Sequence, residues 1–140
     1  MPDTIVVDCS VAAKWVLPER DRGRAIRLLE RWESGEITLI APDLLLAEFA
    51  SALAKRTRRK QISVEQAREA FQLMRRCAPR LYDMRPRLAL ALDISLQSNM
   101  SLWDCVYVAL ALEHDCPLVT ADHRLVRGGA ARHPAIRLLE

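Results

Sequence analysis

Apolar residues along this chain follow two patterns: short continuous runs typical of buried strands, and longer segments with helical spacing. The strand-like runs are 4–8, 37–40, 81–83, 117–120 and 136–139. The helical segments are 10–15, 21–34, 42–59, 63–76, 87–99, 101–113 and a short one that ends near 127, before a break at Gly128 and Gly129. Short apolar strands separated by helices favour a mainly parallel central sheet covered on both faces. The predicted fold class is therefore α/β, a three-layer α/β/α sandwich.

Four acidic residues stand at the edges of these apolar elements, where charge is unexpected. Asp8 ends the run 5–7, and Glu48 interrupts the apolar segment 44–50. Asp104 precedes the apolar stretch 105–110, and Asp122 follows the run 117–120 by one residue. Buried carboxylates need a partner, because removing an ion from water costs several kcal/mol. A shared site that holds a divalent cation would neutralise all four.

The predicted fold allows these acids to meet although they are far apart in sequence. Asp8 and Asp122 lie at or just past the ends of strands, whereas Asp104 and Glu48 lie in the first turns of helices. In a parallel α/β sheet the carboxyl ends of strands and the starts of helices share one edge, where ligands bind near the reversal of strand order. The four side chains can therefore converge there.

Each acid also has an ordinary structural explanation. Asp8 can end a strand while Ser10 caps the next helix, and an aspartate in a first helical turn, such as Asp104 or Asp122, is favoured by the helix dipole. Glu48 is harder to explain, because its helix is apolar almost all round and has no basic residue three or four positions away. One shared site accounts for the four positions more simply than four separate causes.

The ligand types indicate the chemistry. Oxygen ligands without cysteine or histidine select hard cations such as Mg²⁺ or Mn²⁺. One or two such cations can activate water and stabilise the transition state at phosphorus, so no protein nucleophile is needed. Phosphodiester hydrolysis is the natural reaction. The sequence contains no P-loop, no G-x-G-x-x-G and no G-x-S-x-G motif, which argues against nucleotide-binding and serine-hydrolase functions.

Length and composition fit one globular domain spanning 1–140. Of the 140 residues, 51% are hydrophobic and 28% charged, which is enough for a full core. No apolar run approaches the roughly 20 residues of a membrane span, and the N-terminus does not resemble a secretory signal. The four cysteines have no C-x-x-C spacing. We therefore expect a cytoplasmic protein with reduced thiols and no membrane association.

A basic cluster follows Glu48 along the same helix. Five of six consecutive residues are basic: Lys55, Arg56, Arg58, Arg59 and Lys60. Basic residues are common at helix C-termini, where they are solvated and matched to the dipole. The alternative is a binding role, as a contact for RNA phosphates or for an acidic protein partner. The sequence leaves both interpretations open.

Four motifs in order carry a resemblance to a known family. They are Val6-Val7-Asp8-Cys9-Ser10-Val11 with Lys14-Trp15, Ala41-Pro42-Asp43-Leu44-Leu45-Leu46-Ala47-Glu48, Ser101-Leu102-Trp103-Asp104, and Leu118-Val119-Thr120-Ala121-Asp122. The chain resembles the PIN domain over essentially its whole length, and most of all the VapC-type toxins of bacterial and archaeal toxin–antitoxin pairs.

The resemblance implies a ribonuclease that depends on Mg²⁺, with Mn²⁺ as a substitute, and whose acidic site matches Asp8, Glu48, Asp104 and Asp122. Ser10 and Thr120 would orient carboxylates or water from behind this site. It also implies an RNA substrate, a homodimer, and a cognate antitoxin whose C-terminal segment covers the site.

The chain departs from the family pattern at four places near the acids. Cys9 and Cys105 stand where alanine is usual, Trp103 where tyrosine is common, and His123 where a basic residue is frequent. None of these departures removes an acid.

Two other functions remain as alternatives. One is a PIN-like interaction module without catalysis, against which the intact acidic set argues. The other is a phosphoacceptor receiver-type domain, which also gathers acids at strand ends. A receiver would need paired acids after the first strand and a lysine after the last, and the sequence has neither.

Overall fold

The computed structural model describes residues 2–140, in which strands and helices alternate. The strands are β1 (Asp3–Val7), β2 (Ile37–Pro42), β3 (Arg80–Tyr82), β4 (Leu118–Thr120) and β5 (Ile136–Leu138). The helices are α1 (Cys9–Val16), α2 (Arg22–Glu33), α3 (Leu44–Arg58), α4 (Val64–Cys77), α5 (Leu88–Leu96), α6 (Leu102–Glu113) and α7 (His123–Gly129). A short 3₁₀ turn, Arg85–Arg87, leads into α5.

The five strands form one sheet in the order β3-β2-β1-β4-β5, and every pair is parallel. Helices flank the sheet, so the predicted three-layer α/β/α class is confirmed. From β1 the chain proceeds outward through β2 to β3, and then returns to place β4 on the other side of β1. The strand order therefore reverses between β1 and β4, and a crevice opens at such a reversal, beyond the strand ends.

The core lies between the sheet and the helices that cover it. β1 ends in three buried residues, and α6 is buried continuously from Cys105 to Ala111. A helix that is apolar all round is suited to such an interior position. Tyr107 and Phe49 are the largest fully buried side chains, and both are fully shielded from solvent. The helices that carry Glu48 and Asp104 are thus held firmly against the sheet.

Several boundaries differ from the sequence prediction. The helix expected over 87–99 is α5, which ends at Leu96, and Ser10 is the second residue of α1 rather than its cap. The N-cap of α1 is Asp8, whose side chain makes no capping hydrogen bond. α4 begins with a capping box, in which Ser63 and Gln66 bond reciprocally.

The predicted break at Gly128 and Gly129 is wrong. Both glycines belong to α7, which ends at Gly129. Gly129 is buried, and a Cβ there would lie 2.7 Å from Ile136 Cδ1 and 3.0 Å from Met100 Sδ. The glycine is therefore used for the close approach of α7 to β5, and not to end an element.

The structure describes the state of the cysteines and the length of the apolar helices. All four cysteines carry free thiols, and Cys105 and Cys116 are buried. In residues 2–140 no helix combines the length and the apolarity that a membrane crossing requires.

Candidate active site

Asp8 lies at the centre of the candidate site, directly after β1. Only 7% of its surface is exposed, because β1 is the middle strand of the sheet and α1 begins at the next residue. Its Oδ2 atom accepts hydrogen bonds from Ser10 Oγ and Thr120 Oγ1, each at 2.7 Å. The two hydroxyl groups hold this carboxylate in a fixed orientation.

The same hydroxyl groups link β1 to the chain that follows β4. Ser10 Oγ lies 3.2 Å from Thr120 Oγ1 and accepts a hydrogen bond from the Ala121 amide at 2.9 Å. Thr120 Oγ1 accepts a bond from the Asp122 amide at 3.0 Å. The Thr120 hydroxyl group therefore connects Asp8 to the backbone of Asp122, across the point where the strand order reverses. Thr120 itself is fully buried.

The remaining acids are fixed by their own helices. Asp122 is the N-cap of α7, where its Oδ1 atom accepts a hydrogen bond from the Arg124 amide at 2.9 Å. Asp104 lies in the first turn of α6, and its amide donates to the Ser101 side chain at 3.1 Å. Both are half-buried. The helix starts thus point two carboxylates to the same edge of the sheet as Asp8.

Glu48 reaches the site from the second turn of α3. It is half-buried, and its Oε1 atom accepts a hydrogen bond from the Tyr107 hydroxyl at 2.6 Å. Tyr107 lies one turn after Asp104 on α6, so the hydroxyl group joins the two helices that carry acids. Sequence reasoning missed Tyr107. The available signal was a phenol three residues after an acid, within an otherwise apolar helix.

The electrostatics link the four acids to one another in pairs. Burial raises the pKa of Asp8, against the opposing effect of the bonds from Ser10 and Thr120, and the charge of Asp122 raises it further. Burial raises the pKa of Glu48 to about 7, with Asp8 and Asp104 contributing in the same direction. Burial and the charge of Asp8 also raise the pKa of Asp104. Asp8, Glu48 and Asp104 therefore each lie within the field of at least one other acid of this group.

This arrangement suits a hard divalent cation in its donor chemistry. All four donors are carboxylates, the ligand type that hard divalent cations prefer. Within residues 2–140, however, no three acidic, histidine or cysteine side chains already converge closely enough to hold a metal ion.

Comparison with protein families identifies the family of this chain. The model described as the PIN domain matches residues 5–130, which include all four acids. The chain belongs to the PIN domain family. Among curated relatives, it is 36% identical to VapC ribonuclease Mb0985 of Mycobacterium bovis, over 93% of this chain and 94% of the relative. The same figures hold for Ribonuclease VapC9 of Mycobacterium tuberculosis, and Ribonuclease VapC1 of that species is 40% identical over 61% of this chain and 63% of its own.

Solved structures agree on the fold of this PIN domain. PAE2754 from Pyrobaculum aerophilum superposes with a TM-score of 0.72, at 17% identity, over 99% of this chain and 92% of that one. VapBC2 from Rickettsia felis, bound to a DNA fragment from their promoter, gives a TM-score of 0.65 at 15% identity over 96% of each chain. At these identities the likeness concerns the fold alone.

The basic cluster of the PIN domain divides into two environments. Arg56 is half-buried and forms an ion pair with Glu19, while Lys14 Nζ lies 3.9 Å from the same carboxylate. Part of the charge of Arg56 is thus already matched within the protein. Lys55 and Arg59 are exposed and line a cleft of about 730 Å³ beside that ion pair.

Arg58 and Lys60 are exposed but do not line the cleft. The cleft walls come from α1, the α1–α2 loop, the end of α3 and the turn after it. Its basic lining residues are Lys14, Arg20, Lys55, Arg56 and Arg59. It carries one acid, Glu19, so the cleft has a net positive charge.

Proposed function

We propose that this PIN domain is a metal-dependent endoribonuclease that hydrolyses RNA phosphodiester bonds, and that it is the toxin of a toxin–antitoxin pair. The observation that carries the proposal is the group of four carboxylates at the reversal of strand order, in which Asp8, Glu48 and Asp104 are each affected by the charge of at least one other acid. The names of its relatives, VapC ribonucleases, support the substrate class.

Asp8, Glu48, Asp104 and Asp122 would hold Mg²⁺, or Mn²⁺ in its place. When bound, the ion supplies an activated water and neutralises negative charge that develops at phosphorus. The protein contributes orientation. Ser10 and Thr120 fix the Asp8 carboxylate, and Tyr107 fixes that of Glu48. Burial keeps bulk water away from Asp8, which strengthens its interaction with any cation that reaches it.

The proposal includes partners and location. As the resemblance to VapC-type toxins implies, the proposed protein partner is a cognate antitoxin, the proposed assembly is a homodimer, and the proposed compartment is the cytoplasm. The receiver-type alternative loses support, because receivers of the flavodoxin-like class have the strand order 2-1-3-4-5, whereas this sheet has 3-2-1-4-5. An interaction module without catalysis is the outcome if the protein binds its partner but cleaves no RNA.

The test of the reaction is RNA cleavage with Mg²⁺ or Mn²⁺, with EDTA, and by Asp8→Asn. An amide is a neutral and weaker ligand, so the variant should fold and lose activity to background. The matched control is Asp3→Asn, since Asp3 is an exposed residue at the opposite end of β1 from Asp8. Cleavage at an undiminished rate in EDTA, or wild-type turnover by Asp8→Asn, would contradict the proposed mechanism.

Metal binding has a second readout that does not depend on activity. An ion that binds only the folded protein should stabilise it by about 2.7 kcal/mol at 100 times its dissociation constant. The measurement is a melting curve of the wild type and Asp8→Asn with and without Mg²⁺. If saturating Mg²⁺ leaves the wild-type melting temperature unchanged, the four acids do not form one metal site.

A further inference from the structure

Trp103 is an exposed aromatic residue beside the acidic site. It directly precedes Asp104 in the first turn of α6, and half of its surface (50%) faces solvent. Trp15, by contrast, is 4% exposed and donates its indole hydrogen to the Ala25 carbonyl. Trp103 therefore offers an open ring face at the place where the proposed substrate must pass.

The indole forms one wall of a second cleft, and α3 forms the other. This cleft has a volume of about 590 Å³. Besides Trp103, its lining residues are Leu44, Ala47, Glu48, Ser51, Ala52 and Lys55. The lining residues in the middle of the α3 wall have small side chains, which leaves room for a flat ligand against the indole. Glu48 connects the cleft to the acidic site, and Lys55 lies on the same face of α3, seven residues on.

The cleft continues into the basic cleft described above. Ala52 and Lys55 line both of them. A path thus runs along α3 from the acids, past the indole, to Lys55 and on to Arg59. Along this path the acidic site comes first, an aromatic and apolar segment follows, and positively charged side chains come last. A nucleic acid strand presents the complementary order, since it alternates flat bases with anionic phosphates.

We propose that the cleft between Trp103 and α3 is a nucleobase subsite. The indole stacks on the base of a nucleotide next to the scissile phosphate, and Lys55 contacts a phosphate of the same strand. This inference rests on the proposed function for the identity of the strand as RNA. Single-stranded RNA is commonly bound by bases stacked on aromatic side chains, with little dependence on sequence because every base has a π face.

The first test measures binding, in an Asp8→Asn background so that the RNA stays intact. Titration with a short single-stranded RNA of mixed sequence should quench indole fluorescence, and Trp103→Ala should remove this quenching. Affinity should fall about 5- to 150-fold, the range that stacking of one base on an aromatic residue gives. Trp103→Phe retains a ring and should recover most of the loss. Leu96→Ala is the matched control, because Leu96 is a 74% exposed apolar residue that does not line the cleft.

The second test combines the protein variant with a change in the substrate. In the otherwise wild-type enzyme, an abasic nucleotide at one position near the cut should lower kcat/KM by the same factor as Trp103→Ala. In Trp103→Ala the abasic substitution should then have no further effect, because the stacking partner is already gone. A role confined to the fold would lower kcat/KM for intact and abasic RNA alike.

Three results would overturn the inference. Trp103→Ala could bind and cleave RNA as the wild type does. Its losses could be additive with abasic substitution at every position. Or sedimentation could show that Trp103→Ala dissociates a dimer, which would place the indole between two copies of the chain. The proposed function fails separately: if the wild type cleaves no RNA while the Trp103-dependent quenching persists, only the assignment of hydrolysis is lost.

Discussion

Tyr107 is a buried residue of the apolar helix α6, and its side chain carries a hydroxyl group that can form a hydrogen bond. Its side chain is fully buried, yet its hydroxyl group donates to Glu48 Oε1 at 2.6 Å. Burial raises the pKa of Glu48, and the bond from Tyr107 lowers it; the resulting pKa is about 7. Tyr107 thus favours both the orientation and the charged form of a carboxylate that its surroundings would otherwise protonate.

We expect Tyr107→Phe to fold and to lose about 10- to 100-fold in activity or metal affinity, the usual effect of removing a group that orients a metal ligand. The measurements are kcat with RNA and a titration with Mg²⁺. Tyr82→Phe is the control, because its ring packs edge-on against His114, at a centroid distance of 4.9 Å, away from the acids. Equal activity of Tyr107→Phe and wild type would mean that the hydroxyl group serves packing alone.

Individual contacts at the site were only partly predictable from sequence. Four acids at the ends of apolar elements could be identified because charge is rare there, and the parallel fold brings such ends together. The bond between Tyr107 and Glu48 could not, because it depends on the packing of α3 against α6, which no local pattern encodes. For the same reason Ser10, which resembles an N-cap in sequence, instead bonds to Asp8 and the Ala121 amide.

Element types were easier to predict than element ends. All five strands and the helices between them follow from apolar spacing, whereas α5 ends earlier than its pattern suggests and α7 continues through two glycines. A pair of glycines usually signals a break, but here tertiary contact decides. Gly129 lies against Ile136 and Met100, and Gly128 has open space around it.

The two glycines of α7 should respond in opposite ways to alanine. Gly129→Ala places a methyl group 2.7 Å from Ile136 Cδ1 and should destabilise the protein by about 1–3 kcal/mol, since the neighbouring side chains must shift. Gly128→Ala meets nothing within 4 Å and should stabilise it by about 0.4–1 kcal/mol, through lower entropy of the unfolded chain. Chemical denaturation measures both. A destabilised Gly128→Ala would contradict the helical assignment at this position.

The basic residues at the C-terminal end of α3 are predicted to contact RNA phosphates. Replacing Lys55 and Arg59 with alanine should weaken RNA binding and reduce its salt dependence by about 0.7 in slope per lost contact. Arg58→Ala with Lys60→Ala removes the same charge outside the cleft and should change the slope less. Mg²⁺ affinity should stay constant in both. If the salt plots of the two double variants overlay, the cleft has no special role and only the general charge of the helix end matters.

For the molecule as a whole, the buried acids make stability depend on pH. Folding raises the pKa of Glu48 from 4.5 to about 7, so the folded state binds a proton more tightly than the unfolded chain does. The resulting stabilisation is complete below the ordinary pKa and is lost as pH rises through the folded value. Asp8 and Asp104 are raised too and act in the same direction.

In EDTA, the melting temperature should therefore fall between about pH 5 and about pH 8. Glu48→Gln should flatten this dependence, because an amide does not titrate, and saturating Mg²⁺ should offset it in the wild type. Thermal melts over a pH series provide the measurement, with Glu36→Gln as control, since Glu36 is exposed and far from the acids. A melting temperature that rises between these pH values would mean that the four acids are solvated in the folded protein.

The reversal of strand order has a consequence for the synthesis of the protein. Asp8 leaves the ribosome before its partner Thr120, which follows 112 residues later. At about 5–20 residues per second, roughly 6–22 s separate the two. Until β4 is inserted beside β1, neither Thr120 nor Asp122 can complete the site. The proposed nuclease site is therefore incomplete throughout this interval, a delay set by topology alone.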